Sequence, residues 1–240
     1  MANIVALNNV LHKNLKIITT YSVHFGNNVD CVQIFPTEFA HVQCEYPIFF
    51  QKHPDTGQFQ SIALLGIAPN ENLFLRDNNW QARYVPASVS CNPFIIGFED
   101  QTDQGGSEHE PVVYINMDSP RISETQGEPV FREFGGNTTY LENITQNLQA
   151  LYQGLSASTI MFSIFNELNL IEPVKLEIKL QNGDIYRLQG HYTINAEKLA
   201  QLDGASLEKL NNAGVLSSAF FVATSLNNIQ HLIDIKNSYL

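Results

Sequence analysis

Few residues in this chain have the type and spacing for catalysis. His53-Pro54-Asp55 matches the His-x-Asp part of a facial iron triad, with His109 or His191 as a third ligand. Such a site needs two imidazoles and one carboxylate on one face of an octahedral metal, with positions left open for substrate. His-x-Asp is common by chance, and Thr56-Gly57 follows at once, so a hairpin loop is the better reading. Cys31, Cys44 and Cys91 could be nucleophiles, but no local signature identifies a base, and structural thiols are the simpler reading. Their odd number, without C-x-x-C spacing, argues against a disulfide framework and fits a reducing compartment. No Gly-x-Ser-x-Gly elbow, P-loop or Gly-x-Gly-x-x-Gly fingerprint is present. These observations assign no catalytic residue, no metal ligand and no cofactor.

Binding chemistry is better supplied. The segment from Asn72 to Phe94 combines Asn72, Arg76, Trp80, Arg83, Tyr84 and Pro86. Trp, Tyr and Arg dominate binding hot spots because they bury large areas and keep a polar handle. At i and i+4, Trp80 and Tyr84 would share one face of a short helical turn. The competing reading makes both of them core aromatics. The six residues are the candidate site for a protein or peptide partner.

The elements that must position this segment are legible in the patterning. Val29 to Phe35 alternates and is rich in β-branched and aromatic residues, and Pro36-Thr37-Glu38-Phe39 reads as a helical turn opened by proline. Pro47 to Gln51 and Phe59 to Ile67 read as buried strands, and Pro93 to Phe98 and Val112 to Met117 as further strands. Tyr140, Leu141, Ile144, Leu148, Leu151, Tyr152 and Leu155 make one apolar helical face, with a capping box at Thr139-x-x-Glu142. After Gly154 the pattern continues to Ile171, as a second helix or one bent helix, and Pro173 stops it. Val174 to Leu180 and Ile185 to Ile194 flank Gln181-Asn182-Gly183-Asp184, a hairpin signal because Asn-Gly suits positive φ. Asn195 can cap the next helix, and Val215 to Ile235 closes the chain with helices. The expected fold is α+β, a single domain over residues 1–240. Its N-terminal half is rich in antiparallel sheet, and its C-terminal half is helical with an inserted β-hairpin.

Composition narrows the function classes. The 240 residues carry 13 basic and 24 acidic side chains, a net charge of −11. Nucleic acid and anionic lipid both demand a basic footprint, so neither is an expected partner. Charged residues are only 15% of the chain, and 24 Asn with 16 Gln supply much of its polarity instead. Eight carboxylates against Arg121 between Glu99 and Glu128 account for −7 of the charge. That run could meet a basic partner, but a solvated loop over Gln101 to Glu110 is the simpler reading. Ile160 to Phe165 and Ala219 to Ala223 fall far short of the ~18 apolar residues of a spanning helix. The N-terminal residues lack the charged start of a secretory signal. No membrane insertion and a soluble, cytoplasmic protein are expected.

Several blocks, in order, resemble the SapC-like family. They are Phe35-Pro36-Thr37-Glu38-Phe39, Tyr46-Pro47-Ile48-Phe49-Phe50, Ala63-Leu64-Leu65-Gly66-Ile67 and Glu71-Asn72-Leu73-Phe74. Trp80-x-Ala82-x-Tyr84-Val85-Pro86, Pro93-Phe94, Leu188-x-Gly190-x-Tyr192 and Ser225-Leu226 follow. The resemblance spans about residues 5 to 235. Ser90 and Cys91 stand where the family pattern carries a pair of arginines. The resemblance implies a bacterial accessory protein encoded near TonB-dependent receptors, tryptophan-halogenase-like proteins and cupin-type oxygenases. The expected function is a non-enzymatic binding or adaptor protein acting with an uptake system or a peptide- or small-molecule-modifying enzyme. The alternatives are a metal-dependent oxygenase, or a subunit of one, and an accessory to S-layer assembly or export.

Overall fold

The computed structural model describes residues 3–99 and 110–240. The first half contains β1 (Ile4–Ala6), β2 (Lys16–Ile17), β3 (Cys31–Ile34), α1 (Phe39–Val42), β4 (Ile48–Lys52) and β5 (Phe59–Leu64). The two-residue strands β6 (Leu75–Arg76) and β7 (Asn79–Trp80) follow, then α2 (Ala87–Ser90), β8 (Phe94–Glu99), β9 (Glu110–Asn116), β10 (Ile122–Ser123) and β11 (Glu128–Pro129). The second half opens with the long helix α3 (Thr139–Glu167) and continues through β12 (Ile171–Pro173), β13 (Leu176–Lys179), β14 (Ile185–Leu188) and β15 (His191–Ile194). It closes with α4 (Ala196–Ala200), α5 (Gly204–Asn212), α6 (Leu216–Ser225) and α7 (Asn228–Asn237). The fold is α+β, and the strand pairs are antiparallel. The expected loop over Gln101 to Glu110 falls outside the described residues except at Glu110, which begins β9.

The main sheet has the order β12-β15-β4-β5-β3, so it joins both halves of the chain. Its strands carry Ile34, Ile48, Phe49, Phe50, Ile62 and Ile194 into a core closed by the C-terminal helices and the end of α3. A second core gathers around β2, β8 and β9 and takes Leu141, Ile144 and Leu148 from the start of α3. One 29-residue helix therefore serves both cores. The sequence pattern left open a second helix after Gly154; the helix instead runs unbroken through it. Thr138, not Thr139, is the N-cap, and its hydroxyl accepts from the Leu141 N–H at 3.3 Å.

The hairpin of β13 and β14 forms as its pattern predicts, with Leu176 opposite Leu188 and Ile178 opposite Tyr186. Its turn differs in detail. Gly183 alone takes positive φ (94°), and its N–H donates to the Leu180 carbonyl, so the connection is a three-residue loop. The expected long second strand also breaks at Gly190, because Ile185 to Leu188 pairs within the hairpin while His191 to Ile194 joins the main sheet. A side chain at Gly183 would meet no atom within 4 Å, so its cost is purely conformational. Gly183→Val is expected to cost about 1 kcal/mol. Thermal unfolding should show a melting temperature lower by about 2–4 °C.

Candidate binding site

The candidate segment is positioned by a tight hairpin and a buried carboxylate. Asp77 and Asn78 both take positive φ (51° and 58°), which makes the turn between β6 and β7 and sets Leu75 opposite Trp80. Trp80 and Tyr84 therefore do not share a helical turn: Trp80 ends a strand, and residues 81–86 run on irregularly to α2. Their proximity has another origin. The Trp80 Nε1–H donates to the Tyr46 hydroxyl at 2.7 Å, and that hydroxyl donates to the Tyr84 carbonyl. The Tyr84 hydroxyl donates to Glu38 Oε2 at 2.8 Å. Hydrogen bonds thus tie the indole to the Tyr84 backbone through Tyr46, and the Tyr84 side chain to a carboxylate.

Glu38 anchors this chain from the turn after β3. It is 5% exposed and accepts three hydrogen bonds, from the Phe35 and Ala87 N–H groups and from Tyr84. Burial dominates its electrostatics and raises its pKa, with the three donors pulling the other way. Burial also pushes the phenols of Tyr46 and Tyr84 up, so both stay protonated donors at neutral pH. Glu45 holds the other side, since its carboxylate accepts from the backbone N–H groups of Arg83 and Tyr84. His41 stacks on Tyr84 with ring centroids 5.2 Å apart, and Tyr21 meets the Trp80 ring edge-on at 5.5 Å.

The six expected site residues divide by environment. Trp80 and Tyr84 are half-buried beside each other's partners, packed against the main core, and Arg83 is exposed between them in sequence. Arg76 is exposed and lies over the Tyr239 ring at 5.9 Å. Asn72 is buried and structural: it donates to the Asn27 carbonyl at 2.8 Å and accepts from the Phe74 N–H. Pro86 is buried at the start of α2. Glu38, Tyr46, Tyr21 and Glu45 complete the site but were not singled out in the sequence. The available signal was a carboxylate inside the apolar block Phe35 to Phe39, which had to be partnered if buried.

The other chemical candidates lie elsewhere. His53 and Asp55 share the turn between β4 and β5, where the Asp55 N–H donates to the His53 ring. His191 pairs with Gln51 across the sheet, and burial lowers its pKa. His109 is outside the described residues. Among the described residues no three His, Cys, Asp or Glu side chains group as metal ligands. Burial pushes the Cys91 thiol up to about 12 and the Cys31 thiol up to about 11, so neither is a thiolate at neutral pH. Among the described residues no helix is long and apolar enough to cross a membrane.

Comparison with curated proteins finds no match, and comparison with solved structures finds none. The family model described as SapC matches residues 7–232. That range takes in both cores, the main sheet and every residue of the Trp80 network, so the chain belongs to the SapC family.

Proposed function

We propose that this protein is a binding or adaptor protein that engages a protein or peptide partner through Trp80, Arg83 and Tyr84. The partner would be a component of an uptake system or a modifying enzyme. One observation carries the reading: a half-buried Trp–Tyr pair is tied by hydrogen bonds at the indole, at the Tyr84 carbonyl and at the Tyr84 hydroxyl, with an exposed arginine between them in sequence. Rigid aromatic anchors bind well because little conformational freedom is lost on association. Asn72 is buried and fixes the backbone at Phe74, and Pro86 is buried at the start of α2.

Arg83 is the residue to test. Its backbone N–H makes the structural bond to Glu45, so truncating the side chain leaves that bond intact. A photo-crosslinking residue at exposed Gln81 would capture the partner in the native cell. With the partner purified, Arg83→Ala is expected to weaken binding by about 2 kcal/mol, roughly thirty-fold, at an unchanged melting temperature. Wild-type affinity in a folded Arg76→Ala, Arg83→Ala double variant would rule this surface out.

A further inference from the structure

Arg121, just before β10, is a buried charge that the Trp80 network does not use. It is 4% exposed. Its Nη1 donates to the carbonyls of Ile18 and Thr20, both at 2.8 Å, and its Nη2 donates to Asn27 Oδ1 at 3.0 Å. The rings of Tyr21 and Phe25 lie 5.5 and 4.7 Å from the guanidinium carbon. All these partners are neutral. Among the described residues no carboxylate pairs with this guanidinium. Three of its five N–H groups are used, and the remaining two, on Nε and Nη2, have no acceptor among those residues. A buried cation without counter-charge is costly.

Arg121 also lines a cavity of about 190 Å³, together with Tyr21, Ser90, Asn92, Tyr140 and Asn143. Among the described residues no carboxylate lines this space. Burial raises the pKa of both tyrosines, so they remain phenol donors at neutral pH. Tyr140 and Asn143 belong to the first turns of α3, whose positive end therefore borders the cavity. A single cation surrounded by neutral donors matches an anion. The Nε–Nη2 edge of a planar guanidinium matches the two oxygens of a carboxylate. The single guanidinium charge balances a monoanion rather than a dianion such as phosphate. The volume equals that of roughly six waters, which suits a small acid or the end of a peptide.

We propose that this cavity binds a carboxylate, with Arg121 as the charged anchor and Tyr140 and Asn143 as lining partners. The carboxylate belongs to a small organic acid or to a peptide terminus. The site lies across Tyr21 from Trp80, and the proposal does not depend on the partner surface.

The ¹⁵N resonance of the Arg121 Nε–H reports the anchor directly. With ionic strength held constant by chloride, acetate should shift it saturably. Tyr140→Phe keeps the ring and its packing, and should weaken acetate binding about tenfold if the phenol donates to the anion. Arg121→Lys keeps the charge but loses the fork, and should weaken it at least as much; if that variant fails to fold, Tyr140→Phe decides. A short peptide with a free C-terminus, set against its C-terminal amide, identifies the source. Binding of the free acid but not the amide, without acetate binding, assigns the carboxylate to a peptide terminus. Three results would overturn the proposal: phosphate binding as tightly as acetate, an acetate response unchanged in Tyr140→Phe, or no response to any probe up to roughly 100 mM.

Discussion

Glu38→Ala is expected to destabilise the protein by about 3 kcal/mol, among the largest effects of any single polar substitution in the chain. The variant leaves three donors without an acceptor: the N–H groups of Phe35 and Ala87 and the hydroxyl of Tyr84. Two of these are backbone groups that cannot turn toward water. A lost charged acceptor costs more than a lost neutral one, and the vacated volume adds a cavity term. Chemical denaturation should show the loss, and the melting temperature should fall by about 6–12 °C. Trp80 fluorescence should change as well, because Glu38 fixes Tyr84, whose carbonyl accepts from the Tyr46 hydroxyl that holds the indole. A melting temperature within about 2 °C of wild type would show that water satisfies those donors.

The same carboxyl gives a pH dependence of defined sign. Its folded pKa is raised above the ordinary value of 4.5, chiefly by burial. The folded state therefore holds this proton more tightly than the unfolded chain. Stability from Glu38 is fully present below the unfolded pKa and declines as pH rises through the folded one. Glu38→Gln removes this titration. The stability difference between wild type and Glu38→Gln should move in favour of wild type as pH falls through that window. A difference independent of pH would exclude the effect.

Gly154→Val is expected to cost about 3 kcal/mol, although an exposed helical glycine ordinarily gains from replacement. A Cβ at Gly154 would lie 2.5 Å from Phe35 Cβ and 3.0 Å from Thr37 Oγ1. The obstacle is the root of the Phe35 side chain, which cannot swing away as a flexible tip could. Glu38 accepts from the Phe35 N–H, so this backbone is also pinned from the other side. Either α3 moves off the turn after β3, loosening both cores at once, or Phe35 leaves its site. Helix content by circular dichroism should be retained while the unfolding midpoint falls. A variant as stable as wild type would mean that α3 and the Phe35 turn are not packed as described.

Local sequence determined most of the elements, because each follows from short-range chemistry. Alternation over Val29 to Phe35 makes β3, the apolar run after Phe59 makes β5, and the proline-led turn after Phe35 forms because Pro36 has its φ preset. Asn195 caps α4 through its own side chain, accepting from the Lys198 N–H at 2.8 Å. The spacing of apolar residues from Tyr140 to Leu155 makes a helix wherever it is placed. The residues of the partner surface were legible by type, since Trp, Tyr and Arg carry their binding chemistry with them.

Tertiary structure decided what those elements do. Gly154 reads as a break by propensity, yet α3 runs unbroken through it, and packing against Phe35 leaves no room for a side chain there. Ile185 to Ile194 reads as one strand, and Gly190 divides it between two sheets whose partners lie far away in sequence. Trp80 and Tyr84 stand four residues apart, which suggests a helical turn. The link between them is the Tyr46 hydroxyl, contributed from more than 30 residues away. Arg121 reads as a lone base in an acidic run, and only folding places it against Ile18, Thr20 and Asn27 beside a cavity that no carboxylate lines among the described residues. Local patterns encode backbone conformation and the polarity of a face, whereas burial of a charge is a property of everything packed around it.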